Sequence, residues 1–526
     1  MLWSKKIDFK RLLFILAFIL FFFMTRLPSL SHDTINPDAV NWHYRSEQFV
    51  VGLKNLIFEK TYQHYHPGVT LMWLTGVPIE MFKQISGVKV YDQYSFYAFD
   101  FVAKYSLVIC QLILSLLILY WLAKILEFKK AWLTTLVFTF EPFFLGNSRL
   151  FHMDVIFALF VFAALVTSHL LIKEEKWYWA VISGIFCGLS FLTRSVGLGV
   201  WLFIVIFGGL FLFIKSRDTK KVIKNLSWLT GAFAASVFAL FPALWVKPLV
   251  VLMDIFSEGE RIGIRDGHSQ IVFGEGMMDA GAFFYPLVLL LKLSPFILLG
   301  LLAYLAAVAE IIRTKATKKE FILLKDERII GLISYLLIFF AGYLLVMTLP
   351  SKKIDRYMIV LFPYLALVSS FGLLYLQSKL QVIFQHSIGI LVLLFVSFVV
   401  IPDWQYHPYQ FTYTSPLLGS AESANRIIGQ KPFGIGMFEV KNHLQAKYGS
   451  AVEVGFIDTK PIKTIYPNSR VSDIRVNGVS DYEIMVLAIN EEMPEKVLKS
   501  EVEFIKDSSL YINGLEYWRF YVKKDK

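Results

Sequence analysis

Long apolar runs alternate with short polar ones through roughly the first four hundred residues. A bilayer-spanning helix needs ~20 mostly apolar residues, and about eleven stretches qualify. They fall near 11–28, 102–126, 131–147, 151–172, 177–194, 196–215, 227–246, 283–312, 329–350, 357–377 and 386–403. The pattern predicts a polytopic α-helical membrane protein. The first stretch, Leu12 to Met24, is short and follows Lys5, Lys6, Lys10 and Arg11, as in a signal peptide. Arg26 and Pro28 make a poor cleavage region, which favours an uncleaved helix.

The polar breaks set the orientation. The N-terminus is basic, as are Lys129–Lys130, Lys173 with Lys176, the run from Lys215 to Lys221, and Arg313 to Arg328. If the segments alternate, all of these share one side, which the positive-inside rule makes cytoplasmic. Loops 29–101 and 247–282 then face outward. In loop 29–101, residues 41–60 and 68–86 read as helices lying along the membrane surface.

After Pro402 the pattern becomes mixed and charged. The expected division is a membrane domain over 1–404 and an extracytoplasmic soluble α/β domain over 405–526. Short strands are predicted at Phe433–Phe438, Val452–Ile457 and Tyr482–Ile489, with helices at Glu439–Tyr448 and Glu492–Lys499.

Composition agrees with the membrane reading. Of 526 residues, 56% are hydrophobic and only 18% charged, too little polar surface for a soluble enzyme of this length. The formal charge of +11 would suit nucleic acid in a soluble chain. Here the basic residues sit between apolar runs, so topology explains them. Cys110 and Cys187 lie inside apolar runs, which indicates neither a disulfide nor a thiolate metal site.

Charge near a bilayer is costly, so the polar residues expected on the outer side carry the functional argument. Asp38 stands in Asn36-Pro-Asp38 at the start of the first surface helix, as a helix cap or as a reactive carboxylate. His66-Pro67-Gly68 follows in the same loop. Asp154 lies one turn into an apolar helix after Arg149, where it either faces Asp38 or pairs with Arg149. Ser351-Lys352-Lys353-Ile-Asp355-Arg356-Tyr357 is basic on the outer side, against the topological trend. A bound anionic ligand would explain it, with Arg gripping phosphate through two hydrogen bonds; anionic lipid headgroups, or a helix count that is off by one, are the alternatives. Loop 247–282, with Glu258, Glu260, Arg261, Arg265, Asp266, His268 and a Gly-rich end, reads as a flap. Lys292 sits in the next apolar helix, Tyr285 to Pro295, and needs a partner, a cavity or a route to the surface.

In this order the features resemble the GT-C glycosyltransferases of the protein O-mannosyltransferase and aminoarabinose-transferase type. Asp38 stands where that family has an acidic residue soon after the first helix. His66-Pro67-Gly68 is similar to its His-Pro-Pro or Lys-Pro-Pro element, and Arg149 to Asp154 to its second acidic site. Leu189 to Arg194, Tyr285 to Pro295, Asp355-Arg356-Tyr357 and Tyr413 to Gly419 resemble four further elements. Ala39 and Gly68 depart from the pattern, where a Glu and a second Pro are common.

The resemblance implies a GT-C fold and a polyprenyl-phosphate-linked sugar donor, while the short loops and the lack of an organelle signal suggest a prokaryotic plasma membrane. It implies a protein, glycolipid or glycan acceptor, and inverting transfer on the outer face with Asp38 as general base. Asp154 and His66 would orient acceptor and donor phosphate. Arg356, with Lys352 or Lys353, would meet the leaving phosphate. No cofactor is required. A divalent metal bridging Asp38 and Asp154 is compatible with two carboxylates but not established by them. The rival class is a lipid or small-molecule transporter or flippase, which would place its charges near the bilayer midplane on related halves; the chain has no twofold repeat. A non-enzymatic receptor is a third class, and it leaves the outer basic cluster unexplained.

Overall fold

The computed structural model describes residues 9–263, 269–314, 327–383 and 387–524. Eight helices there are long and apolar enough to cross a membrane: Phe96–Ile125, Asp154–Glu174, Ser195–Ser216, Thr219–Leu240, Pro295–Arg313, Ile329–Thr348, Asp355–Val382 and Ser387–Gln405. The expected segments at 11–28, 131–147 and 177–194 lie on the shorter or more charged helices Phe9–Arg26, Phe128–Thr139 and Trp177–Thr193.

Asp154–Glu174 is the hub. Its apolar window is wholly buried, and Trp177–Thr193 packs along it. Apolar side chains gain little by leaving lipid for a helix surface, so close backbone approach holds such bundles together. Glycines mark those approaches. A Cβ on Gly372 would lie 1.8 Å from the Gly300 carbonyl, and one on Gly184 2.2 Å from the Leu229 carbonyl.

The two ends of the hub differ in charge. Around its C-terminal end, Lys173 bonds the Lys124 carbonyl, Lys215 the Ile172 carbonyl, and Lys221 pairs with Glu175. Its N-terminal end carries Asp154. The helix has 21 residues, which puts its ends about 30 Å apart at 1.5 Å per residue.

Loop 29–101 folds as two helices, Pro37–Lys54 and Val69–Ser86. Asn36 caps the first, accepting from the Ala39 amide at 2.7 Å. The cap is therefore Asn36, which frees the Asp38 carboxylate for another partner. In the other loop, strands β1 (Gln270–Val272) and β2 (Glu275–Met277) form a hairpin. The Phe273 amide donates to the Ile427 carbonyl and Gly429 to Ile271, so this part of the expected flap is tied to the C-terminal region. Arg265, Asp266 and His268 lie outside the described residues.

The C-terminal region carries a five-stranded sheet: β3 (Val454–Phe456), β4 (Val471–Asp473), β5 (Ile484–Ala488), β6 (Phe504–Ile512) and β7 (Leu515–Lys523). The order is β4-β3-β5-β7-β6, with β3 parallel to both its neighbours and β7 antiparallel to both of its own. Asn513-Gly514, both at positive φ, turns β6 into β7. The strand expected at Phe433–Phe438 is instead a loop running into the helix Met437–Tyr448. Phe433, Gly434 and Gly436 take φ of 47°, 67° and 72°, which no strand tolerates.

Candidate active site

Asp38, Asp154 and Arg356 meet at the N-terminal end of the hub helix. Asp38 comes from the first turn of Pro37–Lys54, and Arg356 from the 3-10 turn Asp355–Leu361. Arg356 Nη2 lies 3.1 Å from Asp38 Oδ2, and its Nε 3.0 Å from Asp154 Oδ2. His152 makes a second bridge between the same two oxygens, with Nε2 3.3 Å from Asp38 and Nδ1 2.9 Å from Asp154. Arg194 Nη1 holds the other Asp154 oxygen at 2.5 Å. The two carboxylates are thus locked edge to edge through a guanidinium and an imidazole.

They are not equivalent. The Asp38 side chain is 43% exposed and that of Asp154 4%. Asp154 is a buried anchor between cations. The contacts of Asp38 to His152 and Arg356 are made through Oδ2, and the side chain is partly exposed.

Burial pushes the Asp38 carboxyl up, but the His152 hydrogen bond and the Arg356 and His152 charges outweigh it, so it sits well below the usual carboxylate range. For His152, burial opposes the charged form; Asp154 and the two carboxylate hydrogen bonds overcome it and raise its pKa. Both ring nitrogens face carboxylate oxygens, as an imidazolium requires. Two carboxylates against two guanidiniums and an imidazolium leave one net positive charge, which suits an anionic ligand.

The rim adds more polar groups. Arg45 stacks over Trp42 at 4.7 Å, one helix face from Asp38. His66 packs against His64 and Tyr65, and its Nδ1 lacks a hydrogen-bond partner among the described residues. Burial and the Arg194 charge hold His66 well below its ordinary pKa, so it is a neutral imidazole. Gly68 takes φ +59°, and a Cβ there would lie 2.2 Å from the Trp42 ring. Proline, fixed near −65°, cannot adopt that conformation, so the Gly68 departure has a backbone cause.

An apolar groove of about 680 Å³ lies between helices. Phe191, Leu198, Phe233, Phe238, Leu252 and Phe256 are among its walls, and Phe191 and Leu198 flank Arg194 in sequence.

Residues 98–245 match the dolichyl-phosphate-mannose-protein mannosyltransferase family. Over its whole length the chain has the fold of ArnT from Cupriavidus metallidurans. To the structure bound to undecaprenyl phosphate it is 12% identical, covering 98% of each chain, with a TM-score of 0.52. To the apo structure it is 12% identical, covering 97% of each, at 0.51. The apo oligosaccharyltransferase of Archaeoglobus fulgidus is also similar, at 12% identity, 92% of this chain, 70% of that chain and a TM-score of 0.48. No curated protein sequence matches the chain. The family match thus covers part of the membrane helices, and the likeness to ArnT is one of fold.

Three further sequence candidates have partners of their own. Arg149 is buried and turned toward the first helix. It bonds the carbonyls of Thr25, Arg26 and Pro28 and pairs with Asp33 at 3.1 Å. The expected alternative of an Arg149–Asp154 pair is not formed, because Arg194 and Arg356 hold Asp154. Lys353 is buried against Asp279 at 2.5 Å and the Pro350 carbonyl at 2.9 Å. Lys292 is buried, donates to the Tyr413 carbonyl at 3.0 Å and lies 4.8 Å from the Phe143 ring centre. Lys352 is half-buried on the rim, where its charge reaches His64 and His66.

The bridging roles of His152 and Arg194 were not anticipated. Each stands beside a residue the sequence did single out: His152 two before Asp154, and Arg194 at the end of Leu189-Ser-Phe-Leu-Thr193-Arg194. Also unanticipated is the buried chain His43–Asp100–Lys104–Asp33, with contacts of 3.2, 2.8 and 2.6 Å. Through Asp33 it reaches Arg149 and braces the loop that carries Asp38.

A divalent metal between Asp38 and Asp154 fits poorly. Their facing oxygens are already bridged by Arg356 and His152, and among the described residues no group of three His, Cys, Asp or Glu side chains is arranged to hold one.

Proposed function

We propose that this protein is a glycosyltransferase that moves a sugar from a polyprenyl-phosphate donor to an acceptor hydroxyl or amine, inverting the anomeric centre, with Asp38 as general base. The observation that carries the reading is the bridged pair: a buried Asp154 holding Arg356 against a partly exposed Asp38 that is bridged through one oxygen, Oδ2. The acceptor proton passes to Asp38 as the new bond to the anomeric carbon forms. The bond to the phosphate oxygen breaks, and its electrons stay on the phosphate. Negative charge grows there, so Arg356 stabilises the transition state more than the ground state. Asp38 is a weak base while Arg356 holds it. Its basicity rises as Arg356 turns to the phosphate, which couples donor binding to activation of the acceptor.

The apolar groove beside Arg194 suits a polyprenyl tail, and the ArnT of Cupriavidus metallidurans with the same fold is described as bound to undecaprenyl phosphate. Placement on the outer face of the plasma membrane is supported by the lysine-rich opposite end of the hub helix. On this reading residues 405–526 form a unit outside the membrane that closes over the site, and a protein, glycolipid or glycan supplies the acceptor group.

The test is turnover of radiolabelled polyprenyl-phosphate sugars by purified protein in native lipid, with crude membranes as acceptor source. Release of free lipid phosphate by wild type and its loss in Asp38→Asn is the expected result. Equal release from both removes Asp38 from the chemistry, and no release with any donor removes the donor class.

A further inference from the structure

We propose that Phe433, from the C-terminal region, is a positioning residue for Arg356 and thereby sets the strength of the phosphate site; this rests on the donor class proposed above. Its ring lies 4.3 Å from the Arg356 guanidinium carbon and 6.4 Å from the His152 ring. It therefore covers both groups that bridge Asp38 to Asp154. A cation on an aromatic face keeps its charge and is held in the site, where it can still turn from carboxylate to phosphate.

The way Phe433 is held separates this contact from incidental packing. Its φ of 47° is one that bulky residues rarely adopt, and such a conformation persists only where the surroundings over-determine it. Those surroundings are present. Strand β7 grips the loop on both sides, with Tyr517 Oη donating to the Lys431 carbonyl at 3.0 Å and Trp518 Nε1 to the Ile435 carbonyl at 2.8 Å. Phe411 stacks on the ring at 5.0 Å and 19°. On the far side the Gly434 carbonyl accepts from the Ile35 amide at 3.1 Å. A Cβ on Gly434 would lie 1.8 Å from the Ile35 carbonyl, three residues before Asp38. One loop thus fixes the backbone leading into the Asp38 helix and lays an aromatic ring on the cation that Asp38 binds. In this arrangement the C-terminal sheet sets the geometry of the phosphate site without contributing an ionisable group to it.

The experiment measures binding of undecaprenyl phosphate itself to full-length protein in lipid nanodiscs, for wild type, Phe433→Leu, Phe433→Tyr, Arg356→Gln and the Phe433→Leu/Arg356→Gln double variant. Thermal melting is recorded for each. Phe433→Leu is expected to weaken binding roughly 5-fold and Phe433→Tyr to restore it, the size a cation–π contact supports. In the Arg356→Gln background Phe433→Leu is expected to add nothing, because Phe433 acts through Arg356. An equal loss in both backgrounds, or unchanged binding in folded Phe433→Leu, overturns the inference while leaving the proposed function standing. Absence of binding by wild type overturns the donor class and the inference with it.

Discussion

Arg356 and Asp38 lie 318 residues apart in the chain and 3.1 Å apart in space, while the same guanidinium holds Asp154 at 3.0 Å. A planar fork can make both contacts; a point charge cannot. Arg356→Lys is therefore expected to cost about 100-fold in kcat, the scale of losing one positioned electrostatic donor, with the protein still folded. Steady-state release of lipid phosphate checks this, and a variant within a few-fold of wild type would refute the bridging role.

The two carboxylates should fail differently. Asp38→Asn is expected to lower kcat by about 10²–10⁴, the range of a lost general base, and to lower the melting temperature less than Asp154→Asn does. Asp154→Asn leaves Arg194 and Arg356 without their buried counter-charge and should destabilise the fold by about 3–5 kcal/mol. Melting curves of the two variants in one detergent separate the roles.

Protonation gives the site a window. The His152 pKa is raised above its ordinary value of 6.5. Its contribution to stability is present in full below about 6.5 and is lost as pH rises through the higher folded value. Asp38 is lowered, so its contribution is present above its ordinary 3.8 and is lost on acidification toward the lower folded value. Wild type should lose melting temperature on the alkaline side more steeply than His152→Gln. Parallel curves for the two proteins from neutral to alkaline pH would show that His152 is not the titrating group.

Filling the apolar groove tests the tail site. Ala234 is an exposed small residue in its wall. Ala234→Trp is expected to raise KM for a long-chain donor about 10-fold and leave kcat unchanged, the signature of lost uniform binding. A short-chain donor should show no difference.

Much of the site was legible because charge in an apolar setting is rare enough to notice. Asp38, Asp154 and Arg356 were singled out on that ground, and the structure brings them together. Arg149 and Lys353 drew notice for the same reason, yet they are bound to Asp33 and Asp279. Sequence shows that a buried cation needs a partner, but not which anion folding delivers. The spans fared similarly. Helices with clean apolar windows were plain, whereas Phe128–Thr139 and Trp177–Thr193 are shorter than the runs that suggested them. Phe433–Phe438 misled because alternating Gly and apolar residues mimic a strand; the positive φ values that break it are set by Ile35, Tyr517 and Trp518, far off in sequence.

The grip of Tyr517 and Trp518 on either side of Phe433 has a consequence for biogenesis. Asp38 leaves the ribosome among the first residues and Arg356 only after most of the membrane helices. The strand that aims Phe433 follows all of them. A nascent chain halted after residue 400 could already have inserted its helices, yet its guanidinium would still lack its cover. On the proposed function, full carrier affinity would arrive only with strand β7, so a truncated product lodged in the membrane would compete poorly for a lipid-linked donor.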